Sequence, residues 1–181
     1  SVGRAISRDD GVNWKKYPEH PVLEPIKGNW DYPMASTAWV TKCHDGFYRL
    51  YYQGGFPEVN VAIGLAKSTD GKLFKRIGEK PILNSYDFSG LAKPPHASMG
   101  VINIARLFNG QNLMTFEGKS IKHQGLGQIF GAVSDDFESF KPLNNGYPIF
   151  SATNVSSWPV KKVCNPRIIA LENEKLYMLS F

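Results

Sequence analysis

At 181 residues the chain is long enough to bury a sizeable core, as one domain or as part of a larger one. Hydrophobic residues make up 42% of it and aromatics 13%, which excludes a disordered polymer. No apolar run approaches the about 18–20 residues of a membrane-crossing helix, and the +5 net charge sits on lysines scattered along the chain, so neither a membrane nor a nucleic-acid partner is expected.

In chain order the elements read as short strands punctuated by tight turns. Ala5-Ile6-Ser7 leads into an acidic turn, Asp9-Asp10-Gly11, then Trp14, then Pro21-Val22-Leu23. Trp30-Asp31 precedes a strand-like run at Ala38-Trp39-Val40-Thr41. The turn His44-Asp45-Gly46 follows, then a second run from Phe47 to Tyr52 that closes on Gln53-Gly54. The first pattern returns as Ala66-Lys67-Ser68, Asp70-Gly71, Phe74 and Pro81-Ile82-Leu83. The second returns as Tyr86-Asp87, Val101 to Ile104, Asn109-Gly110-Gln111, and Asn112 to Phe116 closing on Glu117-Gly118. Ala132-Val133-Ser134, Asp135-Asp136, Phe140 and Pro148-Ile149-Phe150 repeat the first pattern again. Trp158, Pro166 to Ile169, Glu172-Asn173-Glu174 and Lys175 to Phe181 repeat the second.

The motif serines are 61 and 66 residues apart, and the step from aromatic to proline is 7, 7 and 8 residues. Agreement of residue type, order and spacing marks an internal repeat. Asp-Gly and Asn-Gly supply the positive φ that tight hairpins need, and the β-branched and aromatic runs suit a pleated, packed surface. No segment carries a capped amphipathic helix pattern. The expected fold is all-β: a β-propeller of four-stranded antiparallel blades, about three blades' worth in one partial domain over 1–181. Its parts are an outer half-blade at 2–25, blades at 30–84 and 86–150, and an inner half-blade at 158–181. Such an open array leaves strand edges uncovered. The expected partner is therefore the remainder of its own propeller, or a second chain that completes the ring.

These blade sequences, above all "YRLYYQGG" and "IGLAKSTDGKLFKRIGEKPIL" followed by the next aromatic-Asp pair, resemble the five-bladed β-propeller glycosidases. The similar families are glycoside hydrolase family 43 arabinanases and xylosidases, family 32 fructosidases and family 130 mannoside phosphorylases. The resemblance implies five blades in the complete ring and a carbohydrate ligand in the axial funnel. It also implies cleavage by an Asp base or nucleophile, a second Asp that tunes the pKa and a Glu acid, since glycoside cleavage needs a carboxylate pair. Ser7 to Trp14 also matches the S-x-D-x-G-x-x-W hairpin of sialidase-like propellers, but the copy at Ser68 is one residue short. A propeller that binds glycans or proteins without catalysis is a further alternative.

The inner-strand segments are 31–34, 94–98 and 163–167. Asp31 is a candidate base, with a turn-capping role as the alternative because Asp87 occupies the equivalent place. Glu117, at the end of an apolar strand, is the candidate acid; its alternative is a bond to a neighbouring loop, since Gln53 stands there in the preceding unit. Asn165-Pro166-Arg167 resembles the Asp-Pro-Arg of the mannoside phosphorylases, with an amide that cannot take up a proton at neutral pH. Arg167 offers a fork for a carboxylate, phosphate or sugar hydroxyl, or an inter-blade salt bridge. His96 and Trp39 complete the substrate-binding candidates.

No cofactor or metal is expected. Cys43 and Cys164 stand 121 residues apart with no metal-ligand spacing, and no disulfide framework is indicated. Gly125, Gly127 and Gly131 miss the dinucleotide fingerprint and precede a strand rather than a helix. Asn154-Val155-Ser156 fits the three-residue glycosylation pattern, which recurs by chance. No leader is expected, because no cationic and apolar stretch opens the chain.

Overall fold

A computed structural model describes residues 1–17, 20–56, 60–121, 127–154 and 162–181. His123, Gly125, Trp158 and most of the Asn154-Val155-Ser156 pattern lie outside the described residues.

The described chain forms thirteen strands in four antiparallel sheets. Strands β1 (Ala5–Ile6) and β2 (Lys15–Lys16) make the first. The second is built from β3 (Ala35–Lys42), β4 (Tyr48–Phe56) and β5 (Asn60–Ser68), with β6 (Lys75–Arg76) and β7 (Leu83–Asn84) both on the outer edge of β5. The third runs β8 (Met99–Arg106), β9 (Asn112–Lys119), β10 (Gly127–Ser134), β11 (Lys141–Pro142). The fourth pairs β12 (Arg167–Leu171) with β13 (Leu176–Ser180). The second and third sheets are built as propeller blades, and the first and fourth have two strands each. The inner strands begin earlier than their apolar runs indicate, at Ala35 and Met99.

The repeat is exact in register. Ala5 pairs Lys16 and Val2 pairs Leu23; Ala66 pairs Arg76 and Ile63 pairs Leu83; Ala132 pairs Pro142 and Ile129 pairs Phe150. Each outer edge is thus two short contacts. The prolines of the Pro-apolar-apolar motif, Pro21, Pro81 and Pro148, stand just before the second contact. Proline has no N–H to offer a passing strand, which blunts an edge.

The acidic hairpins are equally regular. The serine hydroxyls donate to Asp9, Asp70 and Asp136 at 2.7, 3.1 and 2.8 Å. Each carboxylate then accepts a backbone N–H further round the turn: Asn13 at 2.9 Å, Lys72 at 2.8 Å, and for Asp136 both Glu138 at 2.8 Å and Ser139 at 2.7 Å. The residue two beyond the serine holds each turn, as the S-x-D order at Ser7 to Asp9 indicates. Bonds from Asn13 and Ser7 bring Asp9 down to about 2. Burial pushes Asp136 up, but the N–H groups of Ser139 and Glu138 and the Ser134 hydroxyl outweigh it and hold the carboxyl below its ordinary range.

Two apolar layers join the sheets. Val22 and Leu23 of the first sheet's segment meet Leu50, Tyr52 and Ala66, with Trp30 against them. Between the second and third sheets lie Tyr51, Ile63 and Leu65 on one side and Met99, Ile102, Met114, Phe116 and Phe130 on the other. Phe88 stands edge-on to both Phe116 and Phe130, at 5.1 and 5.9 Å between centroids. The hairpin aromatics share in this: Phe140 is buried and Phe74 half-buried, each against the sheet before it. Trp14 is 63% exposed. Polar bonds tie the second and third sheets as well. The Tyr51 hydroxyl donates to Phe137 O at 2.7 Å, and Arg49 bridges Asp45 and Glu138 at 2.9 and 2.7 Å.

Tyr51→Phe leaves the Phe137 carbonyl without its buried donor and lowers stability by about 1–3 kcal/mol; the urea midpoint reads it, and an unchanged midpoint would show that this bond does not couple the sheets. Because Asp9 is held low, folding favours its ionised form. Its contribution is complete above the unfolded value of about 3.9 and fades as pH falls towards 2. Asp9→Asn and Asp136→Asn should each flatten the loss of stability below pH about 4, measured as thermal midpoint against pH.

Candidate active site at the start of the inner strands

The inner strands carry a feature that the sequence alone does not announce. The pairing of β3 with β4 slips between Ser36 and Trp39, and that of β8 with β9 between Gly100 and Asn103. Inside each slip one residue takes a left-handed backbone: Thr37 at φ 43° and Val101 at φ 50°. Asn165, two residues before Arg167 in the fourth sheet, has φ 52°. The three stand at intervals of 64 residues. Asparagine tolerates this region, whereas a β-branched residue is strained there by about 1–3 kcal/mol. Such bulges re-aim side chains at barrel and sheet ends.

The residue two beyond each bulge starts the regular pairing: Trp39 with Tyr51, Asn103 with Thr115, Arg167 with Ser180. Two of these equivalent positions meet, and the third bonds the strand that carries Arg167. The Arg167 guanidinium lies 5.0 Å from the Trp39 ring centroid, a cation–π contact, and Asn103 Oδ1 accepts from Ile168 N at 2.9 Å. Among the described residues, Trp39 Nε1 and the Thr115 hydroxyl are buried without hydrogen-bond partners. Arg167 is exposed and makes no ion pair among the described residues; its other bond is to Pro166 O at 3.1 Å.

The second strands contribute Gln53 and Glu117, opposite Ser36 and Gly100. Thr37 Oγ1 lies 3.0 Å from Gln53 Oε1 and donates to it. That amide rests against the next sheet, where a Cβ on Gly100 would come 2.7 Å from its Oε1 and push the side chain aside. Glu117, on the face of β9 opposite Phe116, pairs with Lys162 Nζ at 2.7 Å. That bond outweighs a small burial effect and raises the Lys162 ammonium above its usual range.

Asp31 lies in a different environment. It has no exposed surface, and Arg76 Nε and Nη2 reach its Oδ2 at 2.8 and 2.6 Å. The Tyr52 hydroxyl donates to the same oxygen at 3.2 Å, and Ile26 N donates to Oδ1 at 3.3 Å. Arg76 also donates to Glu24 O. Asp87, its counterpart, likewise accepts a backbone N–H, from Asn84 at 2.7 Å. Asp31 sits with Tyr52 on the first-sheet side of the second sheet, and Glu117 on the far side of the third. No contact joins them among the described residues. His96 is exposed in the turn before β8, its N–H donating to Lys93 O at 2.9 Å, and Asn165 is exposed at its bulge.

All these residues stand towards one end of the sheets, where inner strands begin and second strands finish. Trp39 and Arg167 are brought together; Asp31, His96 and Glu117 are not. Sequence reading missed Thr37, Gln53 as a mouth residue, Asn103 and Lys162. The constant 64-residue interval was the available signal for the first and third of these. Nothing in the sequence marks Lys162. Among the described residues no cluster of three or more His, Cys, Asp or Glu could hold a metal ion.

No protein-family model matches the chain, and no curated protein matches it. Solved structures do. A glycoside hydrolase superimposes with a TM-score of 0.67 at 16% identity over 91% of this chain and 52% of its own. The RS223 β-xylosidase gives 0.59 at 15% identity over 87% and 45%. The GH43_1 enzyme from Xanthomonas citri, in complex with xylotriose, gives 0.56 at 18% identity over 79% and 38%. The chain has the fold of these β-propeller glycoside hydrolases and spans from about two fifths to about half of their lengths.

Asp31→Asn breaks a buried ion pair and leaves Arg76 without its charge partner. It should destabilise the protein by about 3 kcal/mol, read by chemical denaturation, and Asp31→Asn with Arg76→Met should recover part of that loss.

Proposed function

We propose that the chain is part of a carbohydrate-active propeller that takes a glycoside at the mouth formed by the inner strands. The observation that carries this reading is the contact of Trp39 with Arg167 across the inner strands, with Asn103 holding the strand of Arg167 through Ile168 N. An aromatic face, an amide and a guanidinium fork are the groups that bind a sugar's apolar face and its hydroxyls, and two buried donors there lack partners. Glu117 is the acid in this reading. To give a proton it must be protonated, and Lys162 must then release it. Asp31, enclosed by Arg76 and Tyr52, holds the chain between the first two sheets, and the second catalytic carboxylate comes from outside this chain. His96 and Asn165 border the entrance.

The ring is completed by strands that pair with the uncovered edges of β1 and β13. The registers of the two full sheets place Ala5 in the role of Ala66 and Ala132, and Leu179 in that of Leu50 and Met114. Asn165, an amide where the resemblance has a carboxylate, favours a second reading in which the mouth binds glycans without cleaving them.

The test is turnover of aryl xylosides and arabinosides, with xylotriose binding, by the complete protein. Glu117→Gln should lower kcat by about 10²–10⁴-fold, while Arg167→Ala and Trp39→Ala weaken binding. Asp31→Asn, in whatever fraction stays folded, should keep its kcat. Binding of xylotriose with no turnover would support the second reading; neither binding nor turnover would remove both.

A further inference from the structure

Lysines and arginines that are scattered along the sequence converge on the outer rim of the first sheet. Arg4, Arg8, Lys15, Lys16 and Lys72 line one cleft of about 560 Å³. Four come from β1, β2 and their flanks, and the fifth reaches across from the acidic hairpin of the second sheet. Tyr17 forms part of the wall, with the Arg4 guanidinium 5.4 Å from its ring centroid. Among the described residues none of the five makes an ion pair within 4 Å, and Arg4 Nη1 is buried with no hydrogen-bond partner. The carboxylates bordering the adjoining cavities, Asp9 and Asp70, are engaged by their own turns through Ser7 and Asn13, and Ser68 and Lys72 N.

Five cations around one concavity outnumber the two hairpin carboxylates that border it, Asp9 and Asp70, and the net positive charge favours entry of an anion. A buried guanidinium nitrogen without an acceptor is a cost that an oxyanion removes. One small anion cannot answer charges spread over both β1–β2 and the neighbouring hairpin, whereas a chain bearing several can. We propose that this cleft is a second binding site, separate from the mouth of the inner strands, for an acidic glycan carrying sulfate or carboxylate groups. That the polymer is a glycan rests on the function proposed above; that the ligand is polyanionic rests on the cleft alone.

The test is titration of the complete protein with heparin, polygalacturonate, neutral xylan and a single-stranded DNA oligomer, at low and high salt. Heparin or polygalacturonate should bind and xylan should not enter this site, and whichever binds distinguishes sulfate from carboxylate as the anion. Affinity should fall as salt rises, because the screening length shortens from about 10 Å at 0.1 M to about 3 Å at 1 M. The exposed-residue triple variant Arg8→Glu/Lys15→Glu/Lys72→Glu should bind the acidic glycan at least about tenfold more weakly. A control of the same net charge, Lys27→Glu/Lys80→Glu/Lys141→Glu, should lose far less. Both should retain xylotriose binding at the mouth, so the two sites fail or survive independently. Equal loss in the two triples, no binding of either acidic glycan, or DNA binding as tight as the glycans would each overturn the proposal.

Discussion

The structure depends on the burial of one sheet face against the next. A four-stranded sheet with Tyr51, Ile63 and Leu65 on one face and Leu50, Tyr52 and Ala66 on the other is apolar on both sides. Such a sheet cannot rest on water, and the faces of its neighbours are what it packs against. Radial stacking follows. Phe74 and Phe140 reach back towards the preceding sheet, and the first two inter-sheet gaps each hold one large ring from the connecting segment. Trp30 fills that place in the first gap and Phe88 in the second. The polar bonds from Arg49 and Tyr51 add direction to a contact that burial alone leaves free to slide.

The same stacking makes the mouth. Equivalent residues of successive inner strands are brought side by side by the register, not by proximity in sequence. Trp39 and Arg167 are 128 positions apart and touch because each stands two residues after a left-handed bulge. Keeping valine at φ 50° in the middle of this series costs conformational energy, so the surrounding ladder must over-determine it. The left-handed bulge recurs at one level of three sheets and is strained where the β-branched Thr37 and Val101 occupy it. Asp31 shows the opposite case: a residue at the same end of the sheets whose bonds are all turned inward to hold two sheets together.

Charge is distributed by the same geometry. The fold disperses most lysines over turns, yet it folds the first hairpin and the next one into a shared concavity. There, cations that looked unrelated in the sequence have to be solvated or answered together. The carboxylates of those hairpins are held ionised by backbone N–H groups, and two of them, Asp9 and Asp70, stand against five cations there.

The sequence by itself determined the all-β class, the repeat and where each blade changes hands. These are local properties: Asp-Gly turns, alternating apolar runs and a proline at each outer edge act within a few residues of where they are written. It also offered Asp31, Glu117, His96, Asn165, Arg167 and Trp39 as candidates, because strand ends and their polar residues can be counted along a repeat. Only the tertiary structure decided that Asp31 is closed off by Arg76, 45 positions away, that Glu117 faces Lys162, and that Thr37, Val101 and Asn165 share a left-handed bulge. An ion pair between blades depends on which faces meet. A bulge in a β-branched run depends on ladder bonds at both its ends. Neither is encoded within the window of residues that a repeat or a turn occupies.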